Sequence, residues 1–272
     1  MSVSENRLAA LEPPRASLRE KLFTWGAWIA LGLILAVSFR GAQIGDLYLL
    51  GKNSSNTQAY LQDYLHPDFS SWGTIRLYID KMWATLEMAI WGTLISVLLA
   101  VPFALLSSAN LAPQWIVFPV RRLMDILRSV NELVIATAFL VAVGPGALAG
   151  VLALALHNTG VLAKLFSEAV EAVDNAPIEG VRATGGTRLH EIVWAVIPQV
   201  GPLWTSFALY RFEANARSAT VLGIIGAGGI GQILFDNINS FNYARVSAIA
   251  IVIVVAVTLI DIASSAIRKR LL

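Results

Sequence analysis

The chain has 272 residues, is 56% hydrophobic and only 14% charged, and contains no cysteine. Soluble domains carry about 25% charged residues, so composition argues against one, and the missing cysteines remove disulfides, thiolate metal sites and cysteine nucleophiles. The formal net charge is +2, and the basic residues gather at the ends of apolar runs, which gives no sign of nucleic-acid binding.

Residues 1–21 are polar and carry Arg7, Arg15, Arg19 and Lys21. The apolar run 22–40 follows. The long polar lead and the lack of an A-x-A-type site predict an uncleaved first membrane span rather than a secretory signal. Segment 41–81 is polar and too short for an independent enzymatic domain. Five further stretches, 82–106, 123–143, 147–172, 199–220 and 243–265, meet or approach the ~20 apolar residues that a spanning helix needs. Arg128, Asn131 and Glu132 interrupt the start of the third. The fourth is long enough to project from the membrane at its Glu168/Glu171 end.

Lysine and arginine set the orientation. With the N-terminus inside, the cytoplasmic segments hold Arg7, Arg15, Arg19, Lys21, Arg121, Arg122, Arg128, Arg182, Arg188, Arg268, Lys269 and Arg270. Both termini are then cytoplasmic, and Arg245 is an exception on the outer side.

Two phosphate-binding signatures bear on function. Gly226-Ala227-Gly228-Gly229-Ile230-Gly231 satisfies G-x-G-x-x-G, but a dinucleotide fold needs an acid about 20 residues on, where Ile251 sits inside an apolar span. Gly226, Gly228, Gly229 and Gly231 are instead expected to form a tight turn near the outer face, between spans five and six. No G-x-x-x-x-G-K-[ST] occurs, so an ATPase that drives this chain is another subunit, and the chain is expected to have no catalytic site of its own. No histidine pair stands at metal-binding spacing, so no metal is expected.

The stretch 173–198 is polar and punctuated. A short helix, 178–184, is predicted after Pro177, with Gly185-Gly186 ending it. A second amphipathic piece, 189–196, leads to Pro198. This is either a compact knob for another protein to grip or an interfacial loop lying on lipid.

Span five carries Arg211, Glu213, Asn215 and Arg217, and charges at membrane depth are functional candidates by default. Glu213 and Arg217 stand four apart in the favoured order and are expected to neutralise each other. Arg211, Asn215 and Ser218 share another face. A span starting near 199 puts Arg211 ~18 Å in, at 1.5 Å per residue. Arg211 has no acidic neighbour on its own helix, so its partner is a passing anion, water or another helix. It either lines a pathway with Asn215 and Ser218, or forms a buried pair with Glu132 or Glu87. His157 is expected to bond a neighbouring helix or join a polar lining. Asp261 is expected to pair with the 268–270 cluster or a neighbouring helix.

The stretch 173–198 resembles the coupling loop of ATP-binding-cassette importer permeases. Their signature, E-A-A, three residues, G, nine residues, I-x-L-P, is matched by Glu179-Gly180-Val181, Gly185 and Ala195-Val196-Ile197-Pro198. The glutamate, glycine and proline keep their spacing, while the alanines and the final isoleucine and leucine are replaced by small or apolar residues. Glu168-Ala169-Val170-Glu171, Tyr210-Arg211-Phe212-Glu213, Arg217-Ser218-Ala219-Thr220, the glycine cluster, Asn131-Glu132 and His157-Asn158-Thr159-Gly160 are similar to the phosphonate-type permeases.

The resemblance covers roughly residues 70 to 272. It implies an all-α, bacterial inner-membrane protein with the type I importer permease fold and six transmembrane helices. In this reading 1–21 is a cytoplasmic segment, 22–40 a peripheral helix, 41–81 periplasmic, 82–265 a five-helix core and 266–272 a basic cytoplasmic tail.

The partners implied are a second permease copy, two ATPase subunits that use ATP and Mg, an external binding protein and membrane lipid. The cargo implied is a phosphonate, phosphate, phosphite or hypophosphite. Glu179, Arg182, Thr184, Gly185, Arg188 and Pro198 would couple to the ATPase. Arg211, Asn215, Ser218, Asn131, Glu132 and His157 would face the pathway, with the outer gate at the glycine turn. A rival reading is an ion-gradient carrier with Glu132, Glu213 or Asp261 as its proton site, but it gives no reason for the knob. A scaffold without transport leaves the span-five charges unexplained.

Overall fold

The computed structural model describes residues 17–48 and 61–271. Every regular element among them is helical. They divide into two units, 1–61 and 62–272. Arg7 and Arg15 of the basic lead, and residues 49–60 of the expected outer segment, lie outside the described residues.

The first unit contains α1 (Leu18–Gly41) and one 3₁₀ turn, Ile44–Leu47. Ser17 and Glu20 cap α1 reciprocally, Glu20 N–H donating to Ser17 Oγ at 3.3 Å and Ser17 N–H to Glu20 Oε2 at 2.8 Å. Two orphan amide groups are thereby satisfied. Trp25, Trp28, Leu33 and Ile34 are exposed, as on a helix apolar all round.

The second unit begins in earnest with α2 (Trp72–Ser107), capped by Ser71. It starts ten residues before the span expected at 82, so Arg76, Asp80 and Lys81 ride on a helix rather than in an outer loop. Next come α3 (Gln114–Ser129) and α4 (Glu132–Val143). Sequence reasoning joins these into one span at 123–143, but the two are bent by 87°. Asn131 explains the break: its Oδ1 accepts from Leu133 N–H at 2.8 Å and starts a new helix.

Helix α5 (Ala147–Glu171) is the spine of the unit. Over its apolar window 56% of residues are buried, against 33% or less in the other candidate spans. Small residues let neighbours approach: a Cβ on Gly160 would lie 2.8 Å from Met124 O and 2.9 Å from Arg128 N, so α3 rests backbone-close on α5.

Helix α6 (Asn175–Ala183) and α7 (Arg188–Glu191) follow. A π-turn, Ile192–Val196, then runs straight into α8 (Ile197–Leu222). The predicted piece 189–196 is therefore the root of span five, and Pro198 sits in the first turn of α8, where its missing N–H costs nothing.

A second π-turn, Gly223–Ala227, leads to α9 (Gly229–Asn239) and then α10 (Tyr243–Leu271). Sequence reasoning missed α9. The unit thus has four helices long and apolar enough to span and a fifth if the bent pair α3–α4 is one; with α1 this makes five or six for the described residues.

Candidate functional site

The knob is built from short-range chemistry. Asp174 caps α6 through Ala176 N–H at 3.0 Å. Gly185 takes φ +83°, a left-handed conformation that ends α6 as glycine readily does, and Gly186 N–H returns to Val181 O at 3.2 Å. Arg182 grips Glu191 with two bonds, Nε to Oε1 at 2.8 Å and Nη2 to Oε2 at 3.2 Å. This planar fork-to-carboxylate pairing fixes α6 against α7.

Glu191 was not among the sequence candidates. The signal was available: an acid on the buried side of an amphipathic piece needs a cation. Glu179 and Thr184 are exposed on the outer side of the knob, and Pro198 is exposed beside it. Ile178 points the other way, buried in one cluster with Phe166, Val170, Val196 and Val200. Force on α6 therefore bears directly on α5 and α8. Arg188 Nη2 donates to Asn110 O at 3.2 Å, and Asn110 Nδ2 to Val170 O at 2.8 Å. These bonds tie the knob to the turn between α2 and α3.

The polar residues of α8 separate into three groups. Asn215, expected on an open pathway, is instead 2% exposed. It donates to Thr93 Oγ1 and accepts from Asn158 Nδ2, each at 2.8 Å, so it cements α8 to α2 and α5. Glu213 bonds Arg217 at 2.9 Å, as its spacing predicts, and also has Arg268 Nη2 at 3.7 Å. Arg268 belongs to the last turns of α10, so this level of α8 lies beside the C-terminal end of α10. Asp261, expected to meet the basic tail, is exposed on α10 without a bonded partner among the described residues.

The third group gathers at the α3–α4 break. Ser218 Oγ donates to Glu132 Oε1 at 3.0 Å. His157 Nδ1 lies 2.9 Å from Val130 O, and its Nε2 lies 3.9 Å from Glu132 Oε2. Asn131 is occupied as the cap of α4. Arg211 shares the α8 face of Ser218, but its guanidinium lies 5.9 Å from the centroid of the Tyr210 ring; no hydrogen bond joins it to Glu132, and the buried Arg211 Nε has no bonded partner among the described residues. The pair with Glu132 or Glu87 weighed from sequence is not formed.

Three of the six expected pathway residues, Glu132, His157 and Ser218, thus come to one place; Asn131 adjoins it through the backbone, Arg211 has no bond to it, and Asn215 turns to helix packing. A cavity of about 540 Å³ between α2, α5 and α8 is lined by Val97, Val101, Phe166, Trp204 and Phe212, with Thr93 and Thr205 as its polar members. No charge faces it, so it offers nothing to an anion.

Gly226 (φ +111°), Gly228 (φ +86°) and Gly229 (φ +71°) reverse the backbone. Ile230 N–H donates to Thr85 Oγ1 at 2.8 Å, which ties the start of α9 to α2. A Cβ on Gly231 would lie 1.8 Å from Thr220 O, so only glycine fits. Gly146 N–H donates to Gly226 O at 3.1 Å, which locks the α4–α5 turn to this one.

The family described as "Binding-protein-dependent transport system inner membrane component" matches residues 92–272. The phosphite transport system permease protein PtxC of Stutzerimonas stutzeri is 41% identical over 257 residues, 91% of this chain and 92% of that one. The phosphate-import permease protein PhnE of Mycolicibacterium smegmatis is 40% identical over 69% of this chain and 35% of its own. Among solved structures, an inward-facing MetNI methionine ABC transporter superposes with TM-score 0.66 at 21% identity, covering 74% of this chain and 99% of that chain.

Proposed function

The chain belongs to the binding-protein-dependent transport system inner membrane component family and has the fold of type I ABC importer permeases; from that premise we propose that it is the permease subunit of an ATP-driven importer of a phosphorus oxyanion. The cargo class is phosphonate, phosphite or phosphate, in keeping with the names of its relatives, with hypophosphite as a further anion of the same chemical class. Two copies form the pathway, two cytoplasmic ATPase subunits that use ATP and Mg dock on the knobs, and an external binding protein delivers the anion. Both termini face the cytoplasm, a reading supported by the basic residues at the inner ends of the spans. We assign this chain no bond-breaking role; hydrolysis belongs to the ATPase subunits.

The observation that carries this reading is the knob itself. The forked Arg182–Glu191 pair makes it rigid, and Ile178 roots it in the α5–α8 core. A docked motor that changes shape on binding ATP pulls α5 and α8 together, and the pathway alternates between openings because ATP interacts differently with the two states. Family membership answers the gradient-driven alternative.

The test is uptake into proteoliposomes holding the permease, its ATPase and its binding protein. A Glu179→Arg, Gly185→Pro double variant alters the exposed docking acid and a residue whose φ of +83° proline cannot adopt. ATP hydrolysis should persist while uptake falls at least tenfold; undiminished uptake would remove the coupling role.

A further inference from the structure

Helix α2 is 36 residues long, ~54 Å at 1.5 Å per residue. Its last turn leads to Asn110, whose carbonyl accepts from Arg188 of the knob. Its first turns lie at the opposite end. There Gly73, Thr74 and Tyr78 of α2, Asn237 of α9 and Arg245 of α10 line a cavity of about 240 Å³. Sites for drug-sized ligands run to about 300–1,000 Å³, so this one suits a smaller molecule. Its charged member, Arg245, is the basic residue that departs from the orientation rule.

The lining is rich in unused donors. Arg245 is held from one side, its Nε donating to Asp68 Oδ2 at 3.1 Å. Asp68 Oδ1 is taken by the Ser70 amide at 3.2 Å and the Ser70 hydroxyl at 2.6 Å. Asp68 N–H donates to Ala244 O at 3.0 Å, which fixes the carboxylate to the start of α10. The guanidinium is thus oriented, while its two terminal nitrogens make no hydrogen bond among the described residues. Tyr78 is 1% exposed, and its hydroxyl has no bonded partner among the described residues, although a buried phenol usually finds one. The first turn of α2 adds the positive end of a helix dipole. Asn237 brings one acceptor, Oδ1, since its Nδ2 donates to Ile233 O at 2.7 Å. A cation is repelled by Arg245; a small anion with several oxygens matches the set.

Resting on the importer reading above, we infer that this cavity is a receiving site for a small phosphorus oxyanion, with Arg245 and Tyr78 as its donors. On that reading the end opposite the knob faces outward, so the anion meets this site before the glycine turn from which α9 starts. The terminal nitrogens of Arg245 take oxygens of the anion in a planar fork, and the Tyr78 hydroxyl gains its missing acceptor. Asp68 shares the Arg245 charge and so competes with the ligand. That keeps the site weak, and a transit site must release what it binds. The competition gives the site a signature: Asp68 steadies the fold but opposes the ligand.

The measurement is line broadening of inorganic phosphate in phosphorus NMR, titrated with the permease–ATPase complex in phosphatidylcholine nanodiscs, with ADP filling the ATPase sites and no binding protein. Arg245→Gln removes the charged donors and should weaken phosphate binding by about tenfold or more. Asp68→Asn leaves the arginine charge unshared and should tighten binding by about 3- to 5-fold, the size of one half-exposed charge pair. Tyr78→Phe removes a hydroxyl that has no protein partner; it should weaken binding by about 3-fold without lowering the unfolding temperature. It also serves if the glutamine variant does not assemble. A phospholipid headgroup offers the same phosphate chemistry, so the titration is repeated in nanodiscs containing phosphatidylglycerol, where the Arg245-dependent binding should persist.

The inference is overturned if no part of the broadening depends on Arg245, or if Asp68→Asn weakens binding as a purely structural pair would. Loss of the Arg245-dependent binding in phosphatidylglycerol overturns it too, by giving the cavity to a lipid headgroup. ATP-driven uptake with the binding protein is measured in parallel. ATP-dependent uptake beside a failed titration removes the receiving site alone, whereas uptake that never depends on ATP removes the importer reading.

Discussion

Glu213 is the residue most exposed to disruption by a small change. Its carboxylate is 10% accessible and neutralises Arg217 and Arg268 at once. Glu213→Gln strands two guanidinium groups, one of them on α10 with Nη1 already unbonded. We expect a loss of roughly 2–3 kcal/mol, read as a fall in unfolding temperature of the purified protein. Half of this arrangement was legible. The i, i+4 spacing of Glu213 and Arg217 gives their bond directly, because helix geometry alone brings them together. Arg268 lies 55 positions away, and no local spacing encodes a contact between antiparallel helices. The same gap misled the reading of Asn215: a polar residue on the Arg211 face satisfies its amide on either an open pathway or a neighbouring helix, and Thr93 and Asn158 decide it.

The helices show which breaks a sequence announces. The α3–α4 bend had its signal in Asn131-Glu132, a cap and a first-turn acid, but hydropathy averages across it. The glycine cluster announced a turn, while the contacts that seat it on α2, Thr85 and Met88, are contained in no pattern within 226–231. Close approach makes α3 sensitive to its contact with α5. Gly160→Ala drives a methyl against Met124 O and Arg128 N and should cost about 1–3 kcal/mol, again measured by thermal unfolding.

The N-terminal end of α10 is held differently. Asp68 N–H donates to Ala244 O at 3.0 Å, and Arg245 Nε to Asp68 Oδ2 at 3.1 Å. Bonds from Ser70, then Arg245, hold the Asp68 carboxyl below its ordinary range. A depressed carboxylate contributes stability above its unfolded value of about 3.9 and loses it as pH falls through the lower folded value. The unfolding-temperature gap between wild type and Asp68→Asn should therefore hold from pH 7 to about 4 and close below that.

Across the molecule, the knob reaches the α3–α4 break by two packed routes. One runs from Ile178 into α5 and α8. The other runs from Arg188 to the α2–α3 turn and along α3, whose foot Arg121 anchors to Glu171 and Ser107 O. Arg188→Ala should leave ATPase activity in place and lower uptake per ATP hydrolysed by about 5-fold, corresponding to a coupling of roughly 1 kcal/mol. Equal loss of both activities would point to misassembly instead.

The length of α2 carries a last consequence. Its apolar stretch from Met82 to Leu106 extends ~37 Å at 1.5 Å per residue, against a hydrocarbon layer of about 30 Å. The surplus forces the helix to lean, or the surrounding lipid to stretch. Because α2 also carries Thr93 and Thr85, which bond α8 and α9, its lean is geared to those helices. Thick and thin bilayers should then favour different transport states, so acyl-chain length becomes a control on turnover that no ligand supplies.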